Sequence, residues 1–185
     1  IYFGTTVNSG QTCVCCRRIL VPRNLLAALE EKLQALARQY PHQRRLAMSS
    51  QKAFIEGLAN AAIKEGDRIL LPATRQLPEN DGAVIILSDV VPAMRICQEA
   101  LFAPVSMLMP YEELTEALAA IRSSDYGLAF SIFTENPSQA REIIAQVPCG
   151  LATINDLVVA VGHPATPFGG VGRSGWGVAQ GAEGL

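Results

Sequence analysis

Apolar residues recur at helical spacing in four stretches of the chain, and short continuous apolar runs lie between them. The first run is Ile19-Leu20-Val21, a strand pattern of β-branched and aliphatic residues. Asn24 then suits a helix N-cap, and Leu25, Leu26, Leu29, Leu33 and Leu36 form an inward stripe, with Glu30, Glu31, Lys32 and Arg38 on the outer face. Tyr40-Pro41 stops this helix, because the residue before a proline is pushed out of the helical region. A second helix is expected from Gln51 to Glu65, with Phe54, Ile55, Leu58 and Ile63 inward and Gly66 as its terminator.

Strand patterns follow at Asp67 to Leu71, closed by Pro72, and at Ala83 to Leu87, after the turn-forming segment Pro78 to Gly82. The second run has no polar alternation, as befits a strand covered on both faces of a largely parallel sheet. Val105 to Met109 reads as a further strand, and Tyr111 to Ser123 as a helix with Leu114, Leu118 and Ile121 inward. Phe130 to Thr134 and Cys149 to Asn155 complete the strands, flanking a helix over Ser138 to Gln146 that opens at Pro137. The tail from Pro167 to Gly177 holds five glycines in eleven residues and is expected to be an irregular loop beside a site. The alternation predicts an α/β fold, a single three-layer domain over residues 1–185 with a largely parallel sheet.

Composition narrows the class. Charged residues make up 17%, against about 25% in an ordinary soluble domain, and mean hydropathy is +0.22. Since the chain also begins at Ile1 and ends at Leu185 in mid-pattern, it reads as a portion of a longer polypeptide, with apolar surface meant for a neighbour. The net charge of -2, without a basic or acidic block, favours neither nucleic acid nor a membrane surface as partner. No apolar run reaches the roughly 18 residues of a membrane span, and no signal-peptide pattern is present. Five cysteines, an odd number without scaffold spacing, fit a reducing cytoplasmic compartment.

Chemistry concentrates in Asn8-Ser9-Gly10-Gln11-Thr12-Cys13-Val14-Cys15-Cys16-Arg17-Arg18. A nucleophilic thiol requires access, thiolate character and nearby backbone donors, and Asn, Gly and Gln before Cys13 suggest a tight turn that supplies them. The alternative is that these cysteines are small packing residues. A metal site is not expected, because zinc and iron–sulfur centres need four ligands at suitable spacing and the two histidines, His42 and His163, are remote. His163 as the base of a Cys–His hydrolase is conceivable, although beside Pro164 it has the look of a surface residue. The glycine-rich tail matches neither a P-loop nor a Rossmann turn.

Taken together, the motifs resemble those of the aldehyde dehydrogenase superfamily. Asn8 to Cys13 matches its Asn-x-Gly-Gln-x-Cys nucleophile motif. In the family's order, Phe102-Ala103-Pro104-Val105 is similar to its Phe-Gly-Pro-Val, and Tyr126-Gly127-Leu128 to its Tyr-Gly-Leu. Gly150 to Asn155 is similar to Gly-x-x-x-x-Asn, and Pro167-Phe168-Gly169-Gly170 with Ser174-Gly175 to the terminal Pro-Phe-Gly-Gly and Ser-Gly.

The resemblance implies the catalytic domain of an NAD- or NADP-dependent enzyme, roughly the C-terminal two-fifths of the usual chain, acting on a small-molecule aldehyde. It implies Cys13 as the catalytic nucleophile, with Cys15 and Cys16 as packing neighbours, Gln51, Glu99 and Phe102 at the cofactor, and Phe168 lining the substrate tunnel. Asn155 is expected to be structural, tying the last strand to the active-site loops. The family's ribose-binding glutamate falls at Ala100, so either Glu99 reaches across or the contact is lost, and Ala103 replaces a family glycine. The dinucleotide-binding domain, general-base glutamate and side-chain oxyanion donor belong to parts of the family chain outside these residues, as does most of the strand that pairs subunits into a homo-oligomer. The 185 residues alone are therefore expected not to oxidise aldehydes. Two other readings remain at this point: a non-catalytic remnant or assembly module, and a cofactor-free acyl-transfer or thioesterase domain.

Overall fold

The apolar runs at the centre of the chain become neighbouring strands. The computed structural model describes residues 1–41, 46–66, 68–72, 83–157 and 159–184. The backbone divides into two units, Ile1–Ala117 and Leu118–Leu185. The first contains α1 (Tyr2–Thr6), β1 (Arg18–Pro22), α2 (Arg23–Gln39), α3 (Ser49–Lys64), β2 (Arg68–Leu71), β3 (Ile85–Ser88) and β4 (Val105–Tyr111), and α4 (Leu114–Arg122) straddles the boundary.

The four strands form one sheet in the order β1-β4-β3-β2. β4 lies parallel to both β1 and β3, with Arg18 opposite Met107 and Ile85 opposite Val105, while β2 is an antiparallel edge. All of β3 is buried, as the unbroken apolar run implied. Val84, Ile86 and Leu108 pack with Leu26 and Leu33 of α2 and with Val21, Leu70 and Leu71. Residues of the opposite parity, Ile85, Leu87, Val105 and Met107, are buried too, so both faces of the central strands are covered.

The helices depart from the expected stripes in instructive ways. In α2 the buried line is Leu26 and Leu33, with Leu29 and Ala37 partly buried, whereas Leu25 and Leu36 are exposed. Seven residues separate Leu26 from Leu33, two full turns, so one narrow line suffices against a flat sheet. Helix α2 starts at Arg23 after Pro22, and Asn24 makes no cap. Glu30 is not on the outer face: it accepts from both Arg68 and the buried hydroxyl of Ser88 at the sheet edge. In α3 the inward positions are Ile55, Leu58, Ala59 and Ala62, and Phe54 is exposed. Leu114 is likewise exposed, and Tyr111 belongs to β4 rather than to the helix. The expected turn at Pro78 to Gly82 lies outside the described residues.

The second unit contains β5 (Tyr126–Gly127), β6 (Ala129–Ile132), α5 (Pro137–Ile144), β7 (Leu151–Ile154), β8 (Phe168–Gly169), β9 (Val171–Gly172) and β10 (Val178–Ala179). β6, α5 and β7 make a crossover unit with β6 and β7 parallel. Asn136 caps α5 by accepting from the Gln139 amide at 3.1 Å, with Pro137 in the first turn. The glycine-rich tail, expected to be irregular, instead contributes two short antiparallel pairings, β5 with β9 and β8 with β10.

Burial separates the leucines of α2 sharply, at 2% exposure for Leu33 and 52% for Leu25. Leu33→Ala is expected to cost about 2–5 kcal/mol, and Leu25→Ala no more than about 0.5 kcal/mol, in denaturant unfolding. Equal costs would show that α2 packs on a different face.

Candidate active site

The turn before Cys13 is left-handed over three consecutive residues, with φ of 48° at Asn8, 57° at Ser9 and 69° at Gly10. Asparagine tolerates this region, but an ordinary L-residue there costs about 1–2 kcal/mol and persists only when its surroundings hold it. Several bonds do so. The Gln11 amide donates to the Asn8 carbonyl at 3.0 Å, and the Cys16 amide to the Gly4 carbonyl at 2.9 Å. The Gln11 side-chain oxygen accepts from the Ala47 amide at 2.6 Å.

Gly10 is required by space as well as by φ. A Cβ at this position would lie 2.2 Å from the Pro104 nitrogen and 2.3 Å from the Ala103 carbonyl carbon. Two motifs that stand more than 90 residues apart in the sequence thus meet backbone to backbone. The Arg17 guanidinium spans the same seam, donating to the carbonyls of Gly10, Ala103 and Val105. Burial lowers the Arg17 pKa, an effect opposed by the neighbouring Cys15 and Cys16 thiols.

The three clustered thiols have different surroundings. Cys13 is exposed. Among the described residues, the backbone N–H groups of Thr12 and Cys13 have no protein acceptor. Cys15 is buried, and its thiol donates to the Val7 carbonyl at 3.4 Å. Burial pushes the Cys16 thiol up, and does the same to Cys149 in the second unit. The chain just after Cys13 is anchored to β4. Thr5 and Ser106 share a 2.7 Å hydrogen bond, the Ser106 hydroxyl donates to the Cys16 carbonyl at 2.6 Å, and the Met107 amide donates to the Arg17 carbonyl at 2.8 Å. Arg17 and Ser106 do not stand out in the sequence, because their partners lie 86 to 101 residues away or are plain backbone.

The other expected site residues in the first unit gather around residues 99–104. The Gln51 side-chain amide, at the start of α3, donates to the Leu101 carbonyl. Phe102 has a positive φ of 43° and is 45% exposed, leaving its ring open. The Glu99 carboxylate pairs with Arg95 at 3.3 Å, and Ala100 is exposed. Ala103 is buried and does not adopt a positive φ, so alanine meets no conformational penalty there.

Phe168 belongs to the second unit, where it is half-buried in β8 opposite Ala179. Asn155 bonds the strand exit rather than a loop of the cysteine region: its side chain accepts from the Thr134 amide and donates to the Thr134 carbonyl, both at 2.9 Å. Close backbone approach explains Gly150, whose Cβ would fall 1.8 Å from the Gly169 carbonyl oxygen. His163 is exposed.

The full chain, residues 1–185, matches the aldehyde dehydrogenase family. It is 34% identical over 193 residues to 4,4'-diapolycopene aldehyde oxidase of Methylomonas sp, covering 99% of this chain and 36% of that protein. It is 31% identical to the dimeric NADP-preferring aldehyde dehydrogenase of Bos taurus, covering 99% of this chain and 78% of that one. The NAD+ complex of an aldehyde dehydrogenase from Bacillus cereus superposes with a TM-score of 0.87 at 25% identity, over 100% of this chain and 39% of that one. That of Mycobacterium tuberculosis, also with NAD+, gives 0.84 at 30% identity, over 99% and 40%. The chain belongs to the aldehyde dehydrogenase family, and it spans about two-fifths of the length of those two solved enzymes. These relatives and neighbours include NAD- and NADP-dependent enzymes.

Gly10→Ala is expected to slow iodoacetamide labelling of Cys13 by at least about tenfold, since both φ and space oppose the methyl group and a displaced turn misorients the thiol. Labelling at the wild-type rate in a folded variant would show that the turn does not govern the thiol.

Proposed function

We propose that the protein carrying this chain oxidises an aldehyde to a carboxylic acid with NAD or NADP, using Cys13 as its nucleophile. The observation that carries this reading is the exposed Cys13 thiol beside two backbone N–H groups, of Thr12 and Cys13, that are free of protein acceptors among the described residues. The Cys13 thiolate attacks the aldehyde carbon. A sulfur–carbon bond forms, and the carbonyl π electrons move onto oxygen, where the Cys13 N–H donates to the oxyanion. When bound, the nicotinamide group supplies the acceptor for the hydride. The acyl group then remains on Cys13 as a thioester. Water attacks its carbonyl, the carbon–sulfur bond breaks, and the acid leaves with the thiol restored.

The residues around position 100 fit a nicotinamide cofactor through a flat, open surface and two polar groups. The exposed Phe102 ring suits a planar heterocycle. Gln51 donates its amide to Leu101 and keeps Oε1 available to accept from a ribose hydroxyl. Glu99 is the adjacent carboxylate, and the exposed pair that it makes with Arg95 is of a kind worth only about 0–1 kcal/mol, so the side chain is readily released. Phe168 is assigned to the substrate by resemblance. A small-molecule aldehyde is the partner, and assembly of the full-length protein into a homo-oligomer follows the same resemblance.

Cys13 is expected to take up iodoacetamide at neutral pH before Cys16, Cys97 or Cys149. The raised pKa of Cys16 and of Cys149 leaves less of the reactive thiolate near pH 7, so their labelling grows only as the pH rises. Cys13→Ser should abolish aldehyde-dependent reduction of the nicotinamide in the full-length protein. Cys13 lagging behind Cys97 or Cys149 would sink the assignment. Glu99→Gln is expected to raise KM for the nucleotide by about three- to tenfold with kcat little changed, as removal of ground-state binding requires. An unchanged KM would mean that the ribose carboxylate of the family has no counterpart here.

A further inference from the structure

We infer that Arg17 is a positioning residue for Cys13, clamping the Gly10 carbonyl and the Ala103–Val105 segment together and so setting the orientation of the Cys13 backbone amide and thiol. The inference rests on the reading of Cys13 as nucleophile. Arg17 stands four residues beyond Cys13, on backbone that is itself fixed: the Cys16 amide is bonded to Gly4, and the Arg17 carbonyl accepts from Met107 of β4. Its side chain therefore starts from an immobile point and reaches back to the turn. One terminal nitrogen donates to Ala103 and Val105, and the other to Gly10.

Among the described residues no carboxylate pairs with this guanidinium, and a cation kept from water is tolerated only when its N–H groups find acceptors. The three carbonyls fill that need, and the rigid fork of arginine is what lets one side chain serve both walls of the seam. Gly10 closes the left-handed run, and only Gln11 and Thr12 separate it from Cys13. A rotation of the Gly10 peptide therefore passes directly to the peptide carrying the Cys13 N–H. The close approach to Ala103 and Pro104 restricts Gly10 on its Cα side, and its carbonyl is the group that Arg17 holds.

The test compares wild type, Arg17→Met, Arg17→Lys and the remote core variant Leu33→Ala in the full-length protein. Each is confirmed as folded by circular dichroism, then measured for Cys13 alkylation by iodoacetamide and for kcat and KM of aldehyde oxidation. Arg17→Met is expected to lower both Cys13 alkylation and kcat by about tenfold or more while KM for the aldehyde changes less than about threefold. Arg17→Lys, which keeps the charge but not the fork, should fall between Met and wild type. Leu33→Ala should keep wild-type kcat and Cys13 reactivity in its folded fraction, separating positioning from general stability.

Folded Arg17→Met with wild-type alkylation and kcat would overturn the inference. Should the Met variant not fold, Arg17→Lys decides in the same way, full wild-type behaviour overturning the role and an intermediate loss supporting it. A wild type in which Cys13 is not the fastest-labelled thiol would instead overturn the nucleophile reading, a result distinct from a wild type that labels selectively and is indifferent to Arg17.

Discussion

The cysteine region depends on one backbone contact, the seating of Gly10 against Ala103 and Pro104. It closes a run of three successive residues in the left-handed region, and at its last residue any side chain would meet the opposing segment. The turn in turn sorts the three cysteines. Cys13 emerges at the surface, whereas Cys15 turns inward to the Val7 carbonyl and Cys16 is held by its own backbone bonds to Gly4 and Ser106. Thiol surroundings follow the same division: burial raises the Cys16 pKa, and the accessible thiol is the one beside amides that have no protein acceptor among the described residues.

Sheet topology explains how the contact arises. β1 and β4 are parallel neighbours, with Arg18 opposite Met107, so the segments that precede them reach the same end of the sheet. One of those segments carries the left-handed turn and Cys13; the other carries Phe102, Ala103 and Pro104. β3 is parallel to β4 as well, and its first amide donates to the Pro104 carbonyl at 2.9 Å, fixing that proline from the other side. Gln51 adds the start of α3 to the group through Leu101. Placing functional segments outside a common end of parallel strands is the usual economy of α/β proteins, where rigid strands aim mobile chemistry. Here the strands approach the site with their N-terminal ends.

Where the chain departs from the motifs it resembles, local geometry distinguishes the two changes. Ala103 in place of glycine is accommodated, because the residue has no left-handed φ and fits its buried niche. Ala100 in place of a carboxylate is a chemical change, since the nearest acid, Glu99, is turned to Arg95. In the second unit the glycine-rich tail is ordered by close backbone approach and short pairings. The Gly127 amide donates to Ser174 at 3.1 Å, and Arg173 lies 4.8 Å above the Tyr126 ring.

Local sequence carried the elements whose cause is local. The unbroken run at Ala83 to Leu87 announced a strand buried on both faces, Pro137 announced a helix start, and the resemblance of Asn8 to Cys13 to a known nucleophile motif pointed to Cys13. Periodicity also announced α2 to α5, though not the short α1, and not which leucines face inward, because Leu25, Leu36 and Leu114 satisfy the helical spacing as well as Leu26 and Leu33 do. Only the sheet they pack against selects between adjacent stripes. The same holds for Glu30, drawn to the sheet edge by Arg68 and Ser88, and for the tail, whose glycines gain partners only when distant strands arrive. Arg17 marks the limit most clearly. Its sequence neighbours say nothing of its role, since its acceptors are main-chain carbonyls, a chemistry common to every residue, and only tertiary structure determines which three of them it meets.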